Sequence, residues 1–131
     1  MAQKKAKIKK RKKIVRKISS GEIYVYSTFN NTIITATDTV GKVLCWSSPG
    51  IVGFKGSKKS TPFAASIAAK DLTKKVKLFG VTQVDVFLTG PGSAKESVIR
   101  SLKSEKLEVK KIIDTTPTPH NGCRPKKKRR V

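Results

Sequence analysis

Apolar residues alternate with polar or aromatic ones in three short stretches near the start of the chain, the pattern of strands that bury one face. The stretches are residues 22–28 (EIYVYST), 32–37 (TIITAT) and 42–47 (KVLCWS). Residues 29–31 (FNN) separate the first two, and residues 40–41 (VG) interrupt the pattern again. Asparagine tolerates left-handed backbone angles, so FNN predicts a hairpin with two amide side chains at its tip. We therefore expect three antiparallel strands.

The spacing of apolar residues changes to three and four after Pro62, which predicts an amphipathic helix over residues 62–79. Gly80 provides a natural C-terminal stop for this helix. Residues 81–88 (VTQVDVFL) are mostly apolar and β-branched, as expected of a central parallel strand.

A second helix is predicted from Ala94, where Ser93 and Glu96 fit a capping box, and a last strand is predicted over residues 107–114. The order is strand, strand, strand, helix, strand, helix, strand. It predicts an α/β fold with a mixed sheet of about five strands and helices packed on it.

A glycine-rich basic loop runs directly into the first helix, and residues 53–69 read GFKGSKKSTPFAASIAA. Gly53 and Gly56 permit a close backbone approach. Ser60 or Thr61 can cap the helix, whose free N–H groups and partial positive charge favour anions. Because the loop lysines act in the same sense, we predict a phosphate-binding loop, with a solvated surface loop as the alternative. The spacing differs from the nucleotide-binding motif GxxxxGK followed by Ser or Thr.

A second glycine-rich turn, residues 89–93 (TGPGS), joins the strand over residues 81–88 to the second helix. Lys95 falls in the first turn of that helix, so the same anion-binding geometry is predicted here. Gly-Pro-Gly is equally typical of a tight turn without a ligand, and the spacing alone leaves both interpretations open.

The net charge indicates the kind of partner. Lys and Arg number 30 against 8 Asp and Glu, a formal charge of +22. The first seventeen residues contain ten cations and the last eight contain six, while every acid lies between Glu22 and Asp114. We therefore predict a basic arm (1–18), a domain (19–114) and a second basic arm (115–131), with arms that stay disordered until they meet a polyanion.

Membrane and secreted classes fit the sequence poorly. No apolar run approaches the length of a membrane span, and no signal-peptide core follows the N-terminal charges. The apolar face of the first arm is too thin for a helix on a membrane surface. Cys45 and Cys123 are too few for a disulfide framework, so we expect free thiols in a reducing compartment.

Catalytic chemistry is also disfavoured, and we expect no enzyme activity, metal or cofactor. A metal-dependent nuclease would need converging carboxylates, for which the sequence offers few candidates. These candidates are Asp38, Asp85, Glu96 and Asp114. His120 with Cys45 and Cys123 lacks a fourth metal ligand, and a Cys-His pair in a tail lacks preorganisation.

Asn121-Gly122 in the tail is the one sequence with distinctive covalent chemistry. Glycine leaves the following amide nitrogen unhindered to attack the Asn side chain, which gives a succinimide and then isoaspartate. Isoaspartate at Asn121 is therefore a hypothesis, and a turn formed by Asn-Gly is the alternative.

Four motifs in order resemble the small-subunit ribosomal protein S-eleven family: FNNT, GFKGSKKSTPFAA, the GPG before a helix, and TPTPHNGCRP followed by basic residues. The resemblance covers residues 20–131, and the Asn121 position with the KKKRRV ending is similar to the bacterial and organellar branch. It implies a ribonuclease H-like fold and a structural role on the platform of the small ribosomal subunit. There the family bridges rRNA helices and lines the cleft where the mRNA leader (Shine-Dalgarno region) pairs with rRNA.

The resemblance also implies partners and a location. The partners would be small-subunit rRNA, the mRNA leader, and the seventh and eighteenth small-subunit ribosomal proteins, with no membrane and no homo-oligomer. The location would be the cytoplasmic ribosome, with an organellar ribosome left open. Without the family, the rival interpretation is a free-standing RNA or DNA chaperone whose basic arms bind any nucleic acid.

Carried over to this sequence, the rRNA-facing positions fall in four segments. They are Asn30, Asn31 and Thr32; Lys55, Gly56, Ser57, Lys58, Lys59, Ser60 and Thr61; Gly90, Pro91, Gly92 and Lys95; and His120, Asn121, Gly122, Arg124, Lys126, Lys127, Lys128, Arg129 and Arg130. The lysines would supply salt-sensitive attraction to phosphate. The tail arginines can also stack on bases and grip phosphate with a planar fork.

Overall fold

The computed structural model describes residues 17–131, so most of the predicted first arm (1–16) lies outside the described residues. The strands are β1 (Ser20–Ser27), β2 (Thr32–Thr37), β3 (Val43–Ser47), β4 (Gln83–Thr89) and β5 (Glu108–Asp114). The helices are α1 (Pro62–Lys77), preceded by a 3₁₀ turn (Gly56–Ser60), and α2 (Lys95–Ser104). The predicted α/β fold is confirmed, and every predicted helix and strand boundary lies within two residues of the observed one.

The strands form a single mixed sheet in the order β3-β2-β1-β4-β5. β2 pairs antiparallel with β1 and β3, whereas β4 pairs parallel with β1 and β5. β4 is therefore the central parallel strand that its apolar sequence predicts.

Both helices pack on one face of the sheet, where β1, β2 and β4 direct every second side chain into the core. Ile23, Ile34 and Val86 on the strands are fully buried, as is Leu72 on α1. Small residues of α1 such as Ala68 let the helix approach the sheet closely. In residues 17–131 no helix covers the other face, which we call the open face.

The direction of the strands sets where the loops lie. β1, β3, β4 and β5 all run the same way, because only β2 is antiparallel to its neighbours. We call the edge of the sheet where these strands end the carboxyl edge, and the opposite one the amino edge. α1 and α2 both start at the carboxyl edge, since each follows a strand that ends there and leads to a strand that starts at the amino edge.

Candidate nucleic-acid interface

The four segments predicted to face rRNA all begin at the carboxyl edge. The β1–β2 hairpin tip follows the end of β1, the basic loop joins β3 to α1, the Gly-Pro-Gly turn joins β4 to α2, and the tail follows the end of β5. Loops at the carboxyl ends of parallel strands are a common location of binding sites in α/β sheets. Segments from distant parts of the sequence are thus brought to one side of the molecule.

The start of α1 is built from the chain in the way the sequence predicts. Pro62 is the first helical residue, and the hydroxyl oxygen of Thr61 accepts a hydrogen bond from the Ala64 N–H at 3.3 Å. The same hydroxyl donates to the Lys58 carbonyl at 2.7 Å, which ties the helix start to the 3₁₀ turn. Of the two predicted caps, Thr61 is therefore the one used, while Ser60 donates to the Ser57 carbonyl.

The cations beside this helix start are available for a ligand. Lys55 and Lys58 are exposed and Lys59 is half-buried. Within residues 17–131, none of the three forms an ion pair, and the first turn of α1 contains no acid. Gly56 holds a left-handed φ of 60°, which turns the chain beside the helix at no steric cost. Since Pro62 has no N–H and Thr61 caps the Ala64 N–H, the features here that favour phosphate are the unpaired lysines and the positive end of the α1 dipole.

The Gly-Pro-Gly turn is packed much more tightly. The Gly92 N–H donates to the Ser27 carbonyl of β1 at 2.9 Å. A Cβ added at Gly92 would lie 2.7 Å from the Thr28 carbonyl oxygen, and Gly90 has a left-handed φ of 98°. Both glycines are buried against β1. A Cβ added at either position would contact backbone atoms of Ser27 in that strand. The glycines are therefore required for packing against β1. This supports the interpretation of Gly-Pro-Gly as a tight turn, which the sequence left open.

The predicted capping box at the start of α2 is wrong. The helix begins one residue later than predicted, with Ala94 at the cap position and no side-chain cap. Ser93 is exposed, and Glu96 instead lies 3.8 Å from Arg100 one turn further along the helix. Ala94 is itself almost fully buried against the core, so packing of this residue rather than a hydroxyl fixes the helix start.

Lys95 is held by acid and hydroxyl groups of the β5 end. Its Nζ lies 3.4 Å from Asp114 Oδ2 and donates to Thr116 Oγ1 at 3.2 Å, and its side chain is only 18% exposed. The hydroxyl and N–H of Thr116 also donate to Asp114, and these bonds, together with Lys95, lower the pKa of that carboxyl. Lys95 thus joins α2 to the root of the tail, and less of its charge faces solvent than at Lys58.

The hairpin tip presents one of its two asparagines. The Thr28 hydroxyl accepts hydrogen bonds from the N–H groups of Asn30 and Asn31 at 3.3 and 3.1 Å. Asn30 is exposed, while Asn31 is half-buried and its Oδ1 has no hydrogen-bond partner among the described residues. Neither asparagine has a positive φ, so the tip does not use the left-handed angles predicted for it.

Thr32 does not face outward as predicted. It is fully buried, and its hydroxyl lies 3.3 Å from that of Ser27 beneath the hairpin. Thr32 is the first residue of β2 and points to the helix-covered face with Ile34, because alternate strand residues share a face. It therefore stabilises the hairpin base.

The tail leaves the sheet at a fixed point. The Thr115 N–H donates to the Leu88 carbonyl at 2.8 Å, and the Thr89 and Thr115 hydroxyls are 2.9 Å apart. Beyond Asp114 every residue is exposed and forms neither helix nor strand. Asn121 and Gly122 have positive φ angles of 68° and 26°, so Asn-Gly forms a bend. All the predicted tail residues are thus accessible to a ligand.

Two aromatic residues at the carboxyl edge were missed by the sequence reasoning. Phe29, at the hairpin tip, is 74% exposed, and Phe63, in the first turn of α1, is 67% exposed. The Phe63 ring meets that of Phe54 edge-on, with centroids 6.2 Å apart. Their positions in the sequence could have identified them. Each lies inside a motif predicted to face RNA and not on the apolar face of a predicted helix or strand. Exposed rings beside cations are suited to stacking on bases.

The carboxylates considered for catalysis are distributed over the molecule. Asp38 accepts from the Val40 and Lys42 N–H groups in the β2–β3 turn, and Asp85 lies on the open face. Within the part of the chain that the structure describes, no three His, Cys, Asp or Glu side chains are grouped as metal ligands. Over the same residues, no helix combines the length and apolar character needed to cross a membrane.

Comparison with known proteins points to one family. The family model described as Ribosomal protein S11 matches residues 21–130 of the chain. The protein named small ribosomal subunit protein uS11 from one strain of Thermus thermophilus is 50% identical over 123 residues, which cover 94% of this chain and 95% of that protein. The protein of the same name from a second strain of that species matches with the same identity and coverage.

Proposed function

This chain belongs to the ribosomal protein S11 family, and we propose that it binds small-subunit rRNA through the carboxyl edge of its sheet. The observation that carries the proposal is that unpaired lysines, the start of α1, exposed aromatic rings and a basic tail all lie at this edge of the described chain. Phosphate is attracted to the lysines and helix start, while bases can stack on Phe29 and Phe63.

The finer role that we propose is structural, on the platform of the small subunit. The central domain (19–114) binds there between two basic arms (1–18 and 115–131), and the protein bridges several rRNA helices. Its neighbours are the seventh and eighteenth small-subunit proteins, and its tail lines the cleft that holds the mRNA leader. The site of action is a cytoplasmic or organellar ribosome. The exposed, extended tail with cations from Arg124 to Arg130 supports this role, because such a segment can follow rRNA into a crevice.

Directed hydroxyl-radical cleavage tests the orientation of the protein. Cys45 and Cys123 are replaced by alanine, and an iron chelate is attached to a single new cysteine, Ser57→Cys or Val40→Cys. Ser57 lies in the 3₁₀ turn at the carboxyl edge, whereas Val40 lies in the β2–β3 turn at the amino edge and is 90% exposed. In reconstituted small subunits, we expect strong cleavage of platform rRNA from position 57 and much weaker cleavage from position 40.

Equal cleavage from both positions, or cleavage spread over all of the rRNA, would contradict the proposal and favour a nonspecific chaperone. A third probe, Lys127→Cys in the tail, tests the mRNA cleft. With an mRNA carrying a Shine-Dalgarno leader bound to the subunit, we expect cleavage within that leader. Cleavage of rRNA alone from position 127 would remove the mRNA-leader part of the proposal and leave rRNA binding intact.

We also propose that Asn121 is converted in part to isoaspartate. The side chain belongs to an exposed bend and is followed by glycine, so neither packing nor a neighbouring Cβ hinders ring closure. Isoaspartyl-specific peptide mapping should detect the modified residue in protein from aged cells. Only intact Asn121, with isoaspartate readily formed in a synthetic peptide of the same tail, would contradict it.

A further inference from the structure

The open face carries an apolar stripe that crosses the sheet from one edge strand to the other. The strand registers align Trp46 on β3 with Thr35, Tyr24, Phe87 and Ile113 on the four strands beside it. The rings of Tyr24 and Phe87 stack with centroids 4.9 Å apart and 12° between their planes. Side chains from all five strands thus form one continuous band.

Much of this band is accessible to solvent. Trp46 is 52% exposed, Tyr24 is 39% exposed and Ile113 is 39% exposed. Tyr26 and Ile33, cross-strand neighbours on the same face, are 51% and 40% exposed. A contiguous exposed patch of large apolar and aromatic side chains is typical of an interaction surface.

The charges around the stripe are opposite in sign to those of the rest of the protein. Glu22 and Asp85 are cross-strand partners on the open face, and the register places Glu108 beside Gln83 and Lys111 beside Asp85. Three of the 8 acids of the chain therefore share this face with two of its 30 cations, Lys111 and Lys110, the second of which lines the surface beside Gln83 and Asp85. A surface with more acids than bases attracts phosphate less than the carboxyl edge does, so it suits a cationic polypeptide better than rRNA.

We propose that the open face binds a basic, partly apolar polypeptide segment of another protein of the small subunit. Apolar side chains of that segment cover the stripe between Trp46 and Ile113, and its Lys or Arg side chains face Glu22, Asp85 and Glu108. A second copy of this chain fits poorly, because two open faces would set acid against acid and each copy has a net charge of +22. The proposal rests on the proposed ribosomal role for its setting, and it assigns a face that rRNA binding leaves unused.

Photo-crosslinking within assembled subunits tests which partner is present. The full chain is produced in cells with p-benzoylphenylalanine at position 46, 26 or 57, and small subunits are purified in high salt and irradiated. Positions 46 and 26 lie on the open face, and position 57 lies in the basic loop at the carboxyl edge. We expect positions 46 and 26 to crosslink to a net-basic peptide of another ribosomal protein, and position 57 to crosslink to rRNA.

Several outcomes would overturn the proposal. A crosslink from position 46 to rRNA, to residues 1–16 of the same chain, to a second copy or to an acidic peptide would each do so. The absence of any crosslink from position 46, while position 57 still crosslinks, would also overturn it. The position-57 result tests the proposed rRNA interface separately. If position 57 does not crosslink to rRNA, a crosslink from position 46 to another protein still supports the proposed partner of the open face.

A charge variant adds a matched control. Glu22→Gln with Asp85→Asn keeps the shape of the open face and removes two negative charges. We expect this pair to lower the protein crosslink from position 46 several-fold. Glu96→Gln with Glu105→Gln, in the first turn and at the C-cap of α2, also removes two negative charges, on the helix-covered side, and should leave the yield unchanged. An equal loss in both variants, or an unchanged yield in both, would contradict the charge complementarity.

Discussion

The two junctions at which a strand leads through a glycine-rich loop into a helix look alike in sequence and differ in structure. Both combine glycine, a lysine and a helix start, and the same reasoning predicts that both hold phosphate. At the α1 junction, a Cβ added at Gly56 would have no atom within 4 Å. Lys58 is exposed and has no acid partner in the described chain. At the α2 junction, Gly92 packs against β1 and Lys95 is bound to Asp114.

The difference shows what separates a ligand loop from a structural turn. A glycine whose missing Cβ faces solvent leaves its backbone accessible to another molecule, whereas a glycine against a neighbouring strand is needed for the fold. A lysine with an acid partner has already lost part of its attraction for phosphate. We therefore expect changes at the α2 junction to affect stability first, and changes at the α1 junction to affect RNA binding first.

The largest expected effect on stability is that of Gly92→Ala. The new Cβ would lie 2.7 Å from the Thr28 carbonyl oxygen and 2.8 Å from the Ser27 carbonyl carbon, and backbone atoms cannot move aside as a flexible side chain would. Such overpacking should lower the free energy of unfolding by about 3 kcal/mol. Urea unfolding followed by the fluorescence of Trp46, the one tryptophan of the chain, measures it.

Gly50→Ala provides the control at the α1 junction. Its Cβ would meet nothing closer than the Ser48 hydroxyl at 3.8 Å, and its φ is not left-handed, so we expect a change below about 0.5 kcal/mol. Equal losses at positions 50 and 92 would mean that the two junctions are packed alike.

A smaller effect is expected from the helix caps. Thr61→Ala removes the hydroxyl that caps α1 and should lower the free energy of unfolding by about 1 kcal/mol. Thr61→Ser keeps a hydroxyl and should recover most of this loss. Ser93→Ala at the α2 junction should have almost no effect, because Ser93 does not cap its helix. Thermal unfolding monitored by circular dichroism compares the three variants, and a larger loss from Ser93→Ala than from Thr61→Ala would contradict the assignment.

The smallest effect concerns pH. Bonds from Thr116, with Lys95 nearby, lower the pKa of Asp114, so its ionised form stabilises the folded state above the pKa of the unfolded chain. This contribution is lost as the pH falls below about 4 and through the lowered pKa. Asp114→Asn should therefore unfold at slightly less urea than wild type at pH 7, and the gap should close in acid. A gap that is constant or wider in acid would contradict the assigned pKa direction.

The sequence is sufficient to predict the elements and their order, because local patterns dominate there. Alternation in β1 and β2 and three- and four-residue spacing in α1 predict the boundaries within two residues. In β3, successive side chains do not alternate strictly between the two faces of the sheet. The pairing of β3 with β2 is irregular between Ala36 and Thr37, and Val43 and Trp46 therefore lie on the same face. Such a shift depends on the partner strand, which no local pattern contains. The left-handed φ of 64° at Lys106 belongs to the C-terminal end of α2, where the Leu107 N–H donates to the Leu102 carbonyl; it was not predicted because glycine, not lysine, is the usual residue at this position.

The candidate site is predictable in its residue types but not in its geometry. Lysines, glycines and the basic tail can be read from the sequence, whereas their convergence at one edge follows from the strand order. Thr32 was placed wrongly because the residue after a hairpin tip can face either side, and the register turns it inward. The acid-rich open face requires the alignment of Glu22, Asp85 and Glu108 across three strands.

The most direct test of the central claim is the salt dependence of binding to small-subunit rRNA. A triple alanine variant of Lys55, Lys58 and Lys59 at the carboxyl edge is compared with one of Lys74, Lys77 and Lys103, which lie in the last turns of the two helices at the amino edge. Each variant loses the same formal charge. The affinity of each protein is measured over a series of potassium chloride concentrations.

Each lost phosphate contact should lower the slope of log affinity against log salt by about one. We predict a slope reduced by about two to three for the carboxyl-edge variant and by less than about one for the amino-edge variant. Equal reductions in the two variants would mean that the charge acts through general attraction and would contradict a defined rRNA-binding edge.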